Sequence, residues 1–216
     1  EERMHNITVY EFKLSFRFNK NDFLKLQNLL DLPEQFTSKS GTAWGQLEGL
    51  AVLLRRMSYP NRLHDLCSFF GRSPSELSVI FRDMCFYIHA RWGHLLDNFQ
   101  KDWCNDNKIR DFATMIGELC PLKNCIGFVD GTVRKICRPI ENQQDVYNGH
   151  KRVHALKYQG TILPNGIIAH LFGPYEGRRH DAKLMQESGL REQLQELQYT
   201  TEDGQPMCLY GDSAYG

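Results

Sequence analysis

Three aspartates lie at positions where a carboxylate could take part in metal chemistry. Asp130 follows a short apolar run and precedes Gly131, Asp212 follows a second short apolar run, and Asp181 comes directly after residues 177–180 at the start of a stretch with helical spacing. Adjacent carboxylates repel each other, and a hard divalent cation relieves that repulsion. Mg²⁺ and Mn²⁺ prefer oxygen ligands and are commonly held by few carboxylates plus substrate phosphate. The chemistry that fits such a site is phosphodiester cleavage by metal-activated water.

The order of the predicted elements explains how Asp130 and Asp212 could meet. Strand-like runs cover residues 126–132, 153–162, 166–172 and 207–210, and a helix-like stretch covers 181–197. The Pro and Gly of Leu163–Gly166 favour a turn, which predicts an antiparallel hairpin. If the first three strands form a meander, a right-handed crossover makes strand four parallel to strand one. Should these two strands pair, both aspartates lie at the sheet edge where open α/β sheets keep their sites.

These aspartates also have simpler explanations. Asp130 and Asp212 could be turn formers before Gly131 and Ser213, and Asp181 could be an acidic residue favoured at a helix start. The residue types alone leave both interpretations open.

A basic segment follows the first predicted strand. The whole chain carries 26 Lys plus Arg and 26 Asp plus Glu, so attraction to a polyanion must come from local clustering. Six basic residues against Glu141 and Asp145 provide it. They are Arg134, Lys135, Arg138, Lys151, Arg152 and Lys157. Such a segment suits a track for a nucleic-acid backbone, although an ordinary solvated loop is the alternative.

The first half of the chain is predicted to be helical. Residues 62–70 read as a short helix that ends at Gly71, and Ser73 with Glu76 forms a capping box that starts a longer one. The exposed side of this second helix would carry Ser75, Ser78, Arg82 and Asp83, a face that could read a DNA major groove. Helix pairs with tight turns also occur in any α-helical bundle. A further helix over 105–119 leads to Pro121, where we place the domain boundary, giving domains 1–121 and 122–216.

The secondary structure of residues 8–18 is ambiguous, because these residues alternate as a strand does but are interrupted afterwards.

Several other functions are excluded or disfavoured. Cys120 with Cys125 and His150 with His154 supply zinc-ligand types, but their separation is too long for a zinc finger. Neither a nucleophile elbow nor a phosphate-binding loop motif is present. Seven cysteines without a C-x-x-C pair, and no long apolar run, predict a soluble protein of a reducing compartment.

Four linked motifs carry a resemblance to a known family. They are Gly127-Phe128-Val129-Asp130-Gly131-Thr132, Tyr147-Asn148-Gly149-His150-Lys151-Arg152, Gly173-Pro174 with Gly177-Arg178-Arg179-His180-Asp181, and Tyr210-Gly211-Asp212-Ser213-Ala214-Tyr215. In this order they resemble Harbinger-type DDE transposases and their domesticated nuclease relatives. Residues 54–62 and 70–73 resemble the helix-turn-helix region of that family, so the likeness covers most of the chain from about Thr42 onward.

The resemblance implies a ribonuclease-H-like α/β fold, truncated as β-β-β-α-β and preceded by the helical domain, with Mg²⁺- or Mn²⁺-dependent cleavage of DNA. By motif, Asp130 and Asp212 are similar to the catalytic acids, and Asp181 could also bind metal. Candidate DNA contacts are Ser75, Ser78, Arg82, Arg134, Lys151, Arg152, Arg178 and Arg179. The family's final glutamate has no counterpart before Gly216, so we expect a fragment with weak activity by itself.

The family setting is nuclear, with a homo-oligomer and an accessory DNA-binding protein as expected partners and no membrane. Two other functions stay open at this point. A transposase-derived, non-catalytic DNA-binding or adaptor protein would keep the helical domain and not need the acids. A purely structural helical domain with an α/β appendage would have no salt-dependent affinity for DNA.

Overall fold

The structure is a computed structural model that describes residues 7–59 and 62–215. The chain divides into two compact units, which meet in the sequence between Gly93 and His94. The sequence placed its domain boundary later, at Pro121, and that assignment of domains stays a prediction. The motif at residues 54–62 lies partly outside the described residues, because positions 60 and 61 are not among them.

The first unit is mainly helical. Its elements are α1 (Val9–Phe16), α2 (Lys20–Leu29), β1 (Gln35–Thr37), β2 (Ala43–Gly45), α3 (Gln46–Ser58), α4 (Leu63–Phe70) and α5 (Pro74–Trp92). The ambiguous stretch at 8–18 is helical because Thr8 caps α1 in a capping box with Glu11. Phe12 and Phe16, one turn apart, are buried and meet the ring of Phe23.

The predicted start of α5 is confirmed. The backbone N–H of Glu76 donates to Ser73 Oγ at 3.3 Å, and the backbone N–H of Ser73 donates to Glu76 Oε2 at 2.9 Å. Gly71 takes the left-handed conformation (φ 68°) that ends α4. Leu77, Ile80 and Met84 then bury one face of α5, so the opposite face is exposed.

Arg72, in the short connection between α4 and α5, contacts three other elements of this unit. Its guanidinium donates to both carboxylate oxygens of Glu48 at 2.8 and 2.9 Å, to Glu76 at 3.0 Å and to the Ala43 carbonyl at 2.9 Å. The carboxylates of Glu48 and Glu76 raise the pKa of Arg72 above its ordinary value. This arginine therefore links α3, β2 and α5 through charge-assisted hydrogen bonds.

The second unit is a mixed α/β layer structure. Its elements are α6 (Asp106–Leu119), β3 (Cys125–Lys135), α7 (Gln143–Val146), β4 (Tyr147–Asn148), β5 (Val153–Ile162), β6 (Ile168–Glu176), α8 (Asp181–Glu187), α9 (Leu190–Leu197) and β7 (Cys208–Tyr210). The described residues form a five-stranded sheet in which β4, β5, β3 and β7 follow one another and β6 also pairs with β5. β5 is antiparallel to β3 and β6, whereas β7 is parallel to β3. The predicted hairpin and the predicted pairing of strand four with strand one are confirmed.

Two sequence predictions in this unit need correction. The single helix expected over 181–197 is two helices, because the chain breaks at Ser188 and Gly189, where Gly189 has φ 66°. Gln159 Nε2 on β5 donates to Ser188 Oγ at 3.1 Å and fixes the break. The long loop expected between the first two strands contains α7 and β4. Its Asn148 is buried and donates to the Gly177 carbonyl, which holds β4 in place.

The core of the second unit lies on one face of the sheet. Ile109, Phe112 and Ala113 are buried on one side of α6 and pack with Val129 of β3 and Leu190 of α9. The opposite face carries exposed apolar side chains, including Phe128, Ile162 and Tyr210. In the part of the chain that the structure describes, no helix is both long and apolar enough to cross a bilayer.

Candidate active site

The parallel pairing of β3 and β7 brings the backbones of Asp130 and Asp212 to the same edge of the sheet. Phe128 is the register partner of Tyr210. Asp130 follows two residues later on β3, and Asp212 follows Tyr210 by two residues, beyond the end of β7. β3 does not end at Asp130, as the sequence suggested, but continues to Lys135 because β5 stays paired with it. Asp130 is therefore at the point where β7 leaves β3, not at the end of a strand.

Asp130 lies on the exposed face of the sheet. Side chains alternate along a strand, so Asp130 of β3 shares a face with Phe128, whereas Asp212 follows the end of β7 at Tyr210. The rings of Phe128 and Tyr210 meet edge to face at 6.4 Å between centroids, which shows that this face is common to both strands. Both aspartates are exposed. On the other side of Asp130 the register partner is Gly160, which adds no side chain that could fill the space.

Tyr215 lies against Gly131, the residue after Asp130. A short 3₁₀ turn at Ser213–Tyr215, in which the Tyr215 N–H donates to the Asp212 carbonyl at 3.0 Å, folds the tyrosine back towards β3. A Cβ atom on Gly131 would lie 2.9 Å from Tyr215 Oη, so only glycine leaves room for this ring. Burial raises the pKa of Tyr215, and the negative charges of Asp181, Asp130 and Asp212 raise it further. All three acids are thus close enough to act on one hydroxyl.

Asp181 reaches the same place from the opposite face of the sheet. It is the first residue of α8, and its Oδ1 atom lies 3.0 Å from the position that a Gly131 Cβ would take. The same oxygen accepts a hydrogen bond of 2.7 Å from Lys157 Nζ on β5. The Lys157 side chain is only 8% exposed and that of Asp181 is 27% exposed, so this ion pair is shielded from water.

The residues fit a divalent cation in part. Among residues 7–59 and 62–215, no group of three or more His, Cys, Asp or Glu side chains is arranged to hold a metal ion. Two exposed carboxylates at one edge still suit Mg²⁺ or Mn²⁺, which keep several waters and use one or two carboxylates plus substrate phosphate. The Tyr215 hydroxyl, buried among the acids, has no hydrogen-bond partner in the described part of the chain, and this orphaned polar atom indicates a place for a further ligand or water.

Three of the predicted DNA contacts lie in the exposed segment beyond Asp130. Arg134 is on β3, four residues after Asp130 and on the same face, which corresponds to about 13 Å along the strand. Lys151 and Arg152 are exposed in the turn between β4 and β5. These side chains present positive charge to solvent on the unit that carries the acids.

Arg178 and Arg179 differ from these residues because acidic partners hold them. Arg178 pairs with Asp145 at 3.0 Å and with Glu176 at 3.4 Å, and Arg179 pairs with Glu176 at 2.7 Å. Hydrogen bonds from Arg179 and Arg178 lower the pKa of Glu176. Much of the positive charge predicted to meet DNA at this motif is therefore balanced locally.

The helical unit presents the face that the sequence predicted on α5. Ser75, Ser78 and Arg82 are exposed at helical spacing, and Arg82 pairs with its neighbour Asp83 at 2.9 Å. Exposure makes this face accessible to a partner but does not identify one.

Sequence reasoning missed the roles of Lys157 and Tyr215. Lys157 was counted with the basic segment, yet it is buried, because it alternates with Ala155 and Gln159 on the core face of β5. The sequence pattern argued against this orientation, because the large apolar residues Leu156, Tyr158 and Ile162 lie on the alternate face of β5. The position of Tyr215 depends on the turn after β7, which the sequence indicated only through the turn-forming residue types of Asp212 and Ser213.

A comparison with known protein families finds a match within the second unit. Residues 129–216 match a family model described as DDE superfamily endonuclease. The matched region begins one residue before Asp130 and includes Asp181, Lys157, Asp212 and Tyr215. No curated protein and no solved structure matches the chain. The acid-bearing part of this chain is therefore similar to endonucleases of the DDE superfamily.

Proposed function

We propose that this chain carries the catalytic acids of a divalent-metal-dependent DNA nuclease of the DDE transposase type, in a ribonuclease-H-like sheet. The observation that carries the proposal is the parallel register of Phe128 with Tyr210, because Asp130 and Asp212 each follow this pair by two residues. The match of residues 129–216 to the DDE superfamily endonucleases supports the same chemistry. The strand order, with β7 beside β3, is the arrangement expected of such a sheet.

Asp130 and Asp212 would hold the cation, Mg²⁺ or Mn²⁺, between their carboxylates and a DNA phosphate. The bound ion would supply Lewis acidity and a water activated for attack on the phosphodiester. The N–H of Gly131 donates to Asp130 Oδ1 at 2.8 Å and orients that carboxylate. Arg134, Lys151 and Arg152 would follow the DNA backbone, since exposed arginines and lysines bind phosphates without reading sequence.

The remaining assignments complete the proposal. Ser75, Ser78 and Arg82 on α5 would contact DNA as the reading face of a helix-turn-helix made by α4 and α5. The Harbinger subtype, a nuclear setting, a homo-oligomer and an accessory DNA-binding protein belong to the same proposal, by resemblance. Arg178 and Arg179 would need to leave Glu176 or Asp145 before they could meet a phosphate.

Mn²⁺ binding to the whole chain, followed by calorimetry, tests the proposal. Asp130→Asn and Asp212→Asn should each abolish Mn²⁺ binding. Asp203→Asn, an exposed acid in the turn before β7, should leave binding unchanged and serves as the matched control. Plasmid nicking with Mg²⁺ or Mn²⁺ should then be lost in both site variants.

The outcomes separate this nuclease from its main alternative. If neither Asp130→Asn nor Asp212→Asn changes Mn²⁺ binding, the acids do not form a metal site and the proposal fails. Salt-dependent DNA binding that persists unchanged in both variants, without any nicking, would instead favour a non-catalytic DNA-binding or adaptor protein.

A further inference from the structure

We propose that Tyr147 and His154 form a stacking platform for an unpaired nucleobase, on the exposed face of the sheet that also carries Asp130 and Arg134. The DNA strand that reaches the acids would then be single-stranded where it crosses this platform. The platform rests on the proposed function, which supplies DNA as the ligand, and adds the form in which that DNA binds.

The platform is an aromatic pair that joins two neighbouring strands. Tyr147 of β4 is the register partner of His154 of β5, and their rings meet edge to face with centroids 5.3 Å apart. Tyr147 is 41% exposed, so the contact with His154 holds the ring in place and leaves part of it open to solvent. Any nucleobase can stack on such a ring, because every base has a π-face.

The strand registers place this pair on the same face as Asp130. Asp130 is the register partner of Gly160, and β3 and β5 pair without a register shift. His154 lies six residues before Gly160 on β5, an even number that keeps both positions on one face. Arg134, the partner of Leu156, lies between them on that face. The six residues correspond to about 20 Å along the strand, the length of about six nucleotides of a stacked strand.

Unpaired positive charge lies in the turn that joins Tyr147 to His154. Lys151 and Arg152 are exposed there, and neither forms an ion pair with another described residue. The Lys151 backbone N–H donates to Asn148 Oδ1 at 2.8 Å, and because Asn148 is buried this bond fixes the turn. Basic side chains beside an aromatic ring are the combination with which proteins bind single-stranded nucleic acids independently of sequence.

Duplex DNA fits this platform less well than a single strand. The bases of a duplex are stacked on one another, so an aromatic side chain reaches a base face only where a strand is unpaired or a base has left the stack. The ring of Tyr147 should therefore contribute to the binding of single strands and not to that of blunt duplexes.

Fluorescence-anisotropy titration of the full chain, without divalent metal, compares a single-stranded oligodeoxythymidine of about 12 nucleotides with a blunt duplex of equal length. Tyr147→Ala should weaken single-strand binding about tenfold, as expected for the loss of one stacked base, and change duplex binding less than about twofold. Tyr147→Phe, which keeps the ring, should bind both ligands as the wild type does. Tyr10→Ala, at an exposed tyrosine of α1, is the matched control and should change neither.

Four results would overturn the platform. They are unchanged single-strand binding in Tyr147→Ala, equal weakening of both ligands in that variant, a Tyr147→Phe variant as weak as Tyr147→Ala, and wild-type affinity in Tyr147→Leu. The third would assign the effect to the hydroxyl. The fourth would assign it to packing, because leucine fills the place of the side chain without an aromatic ring.

The platform and the metal site fail separately. Loss of Mn²⁺ binding in Asp130→Asn, together with unchanged single-strand binding in Tyr147→Ala, would keep the nuclease and remove the platform. Mn²⁺ binding that does not depend on Asp130, together with ring-dependent binding of the single strand, would defeat the metal site and keep the platform.

Discussion

The two units of this chain each contain acids gathered around a cation, but the balance of charge differs. In the helical unit Arg72 donates to Glu48, Glu76 and the Ala43 carbonyl, so its donors meet acceptors on three elements. In the sheet unit Lys157 pairs with Asp181, and the charges of Asp181, Asp130 and Asp212 raise the pKa of the Tyr215 hydroxyl. The first cluster is satisfied from within the protein. The second includes exposed carboxylates that an added cation could reach.

This difference separates a stabilising network from a binding site. A satisfied network contributes to the free energy of unfolding and gains little from added ions. A cluster with surplus charge costs stability until it is filled, because like charges repel at short range. Perturbed ionisable groups occur in both, so the acids alone do not identify function.

The largest expected effect is stabilisation of the sheet unit by metal. At a Mn²⁺ concentration about 100 times Kd, binding should stabilise the folded state by about 2.7 kcal/mol. Hydrogen–deuterium exchange of β3 and β7 amides should slow on adding Mn²⁺ and recover with a chelator, while the α5 amides stay unchanged. Equal protection of both units, or of neither, would break the contrast between the clusters.

Removing the cation of the helical cluster should come next. Arg72→Met loses hydrogen bonds to both Glu48 and Glu76 and leaves Glu48, whose side chain is 20% exposed, without this partner. We expect a loss of about 2 kcal/mol, measured as faster exchange of α3 and α5 amides or a lower urea midpoint. Arg82→Met, whose exposed pair with Asp83 is worth little, is the matched control. Equal effects of the two changes would contradict the role of Arg72.

A methyl group at Gly131 should disturb the sheet cluster more than one at Gly149. In Gly131→Ala the new Cβ meets Tyr215 Oη at 2.9 Å and Asp181 Oδ1 at 3.0 Å, so these side chains must move. We expect a loss of about 1–2 kcal/mol in thermal unfolding and weaker Mn²⁺ binding. Gly149→Ala adds a Cβ to open space and should change neither. If Gly131→Ala changes neither thermal unfolding nor Mn²⁺ binding, Tyr215 and Asp181 do not lie next to this glycine.

The capping box of α5 should contribute about 1 kcal/mol. Ser73→Ala removes the hydroxyl that accepts from the Glu76 N–H, and loss of such a cap typically costs this much. Ser75→Ala, two residues further on an exposed position, is the control. The urea midpoint of the helical signal should fall only for Ser73→Ala.

Acid should weaken the same helix start, with the smallest effect. Hydrogen bonds from the Ser73 backbone and side chain, and from Arg72, lower the pKa of Glu76 from 4.5 to about 2. A carboxyl with a depressed pKa in the folded state stabilises it above its unfolded pKa, and this stabilisation is lost as pH falls from 4.5 towards 2. Urea unfolding across this range should show a component that Glu76→Gln lacks.

Local signals in the sequence predicted the parts of the fold that local interactions decide. The start of α5 followed from Ser73 and Glu76, because a capping box is complete within four residues. The pairing of β7 with β3 followed from the handedness of crossovers, which leaves few arrangements once the order of elements is known.

Contacts between distant residues decided the rest. The ion pair of Lys157 with Asp181 joins a strand and a helix start that the sequence does not link, and so Lys157 was grouped with solvent-exposed basic residues. The break at Ser188 was overlooked because Leu184, Leu190 and Leu194 keep an apolar pattern across it, although the pair Ser188-Gly189 is itself a turn signal. The extension of β3 to Lys135 depends on the length of β5, its partner strand.

α8 is attached to β5 at both ends. Lys157 holds Asp181 at its first residue, and Gln159 holds Ser188 just after its last. A helix turns by about 100° per residue, so a single inserted or deleted residue between these anchors would rotate one of them away from the strand. Apart from the buried Leu184, residues 182–187 should therefore accept changes of side chain more readily than any change of length.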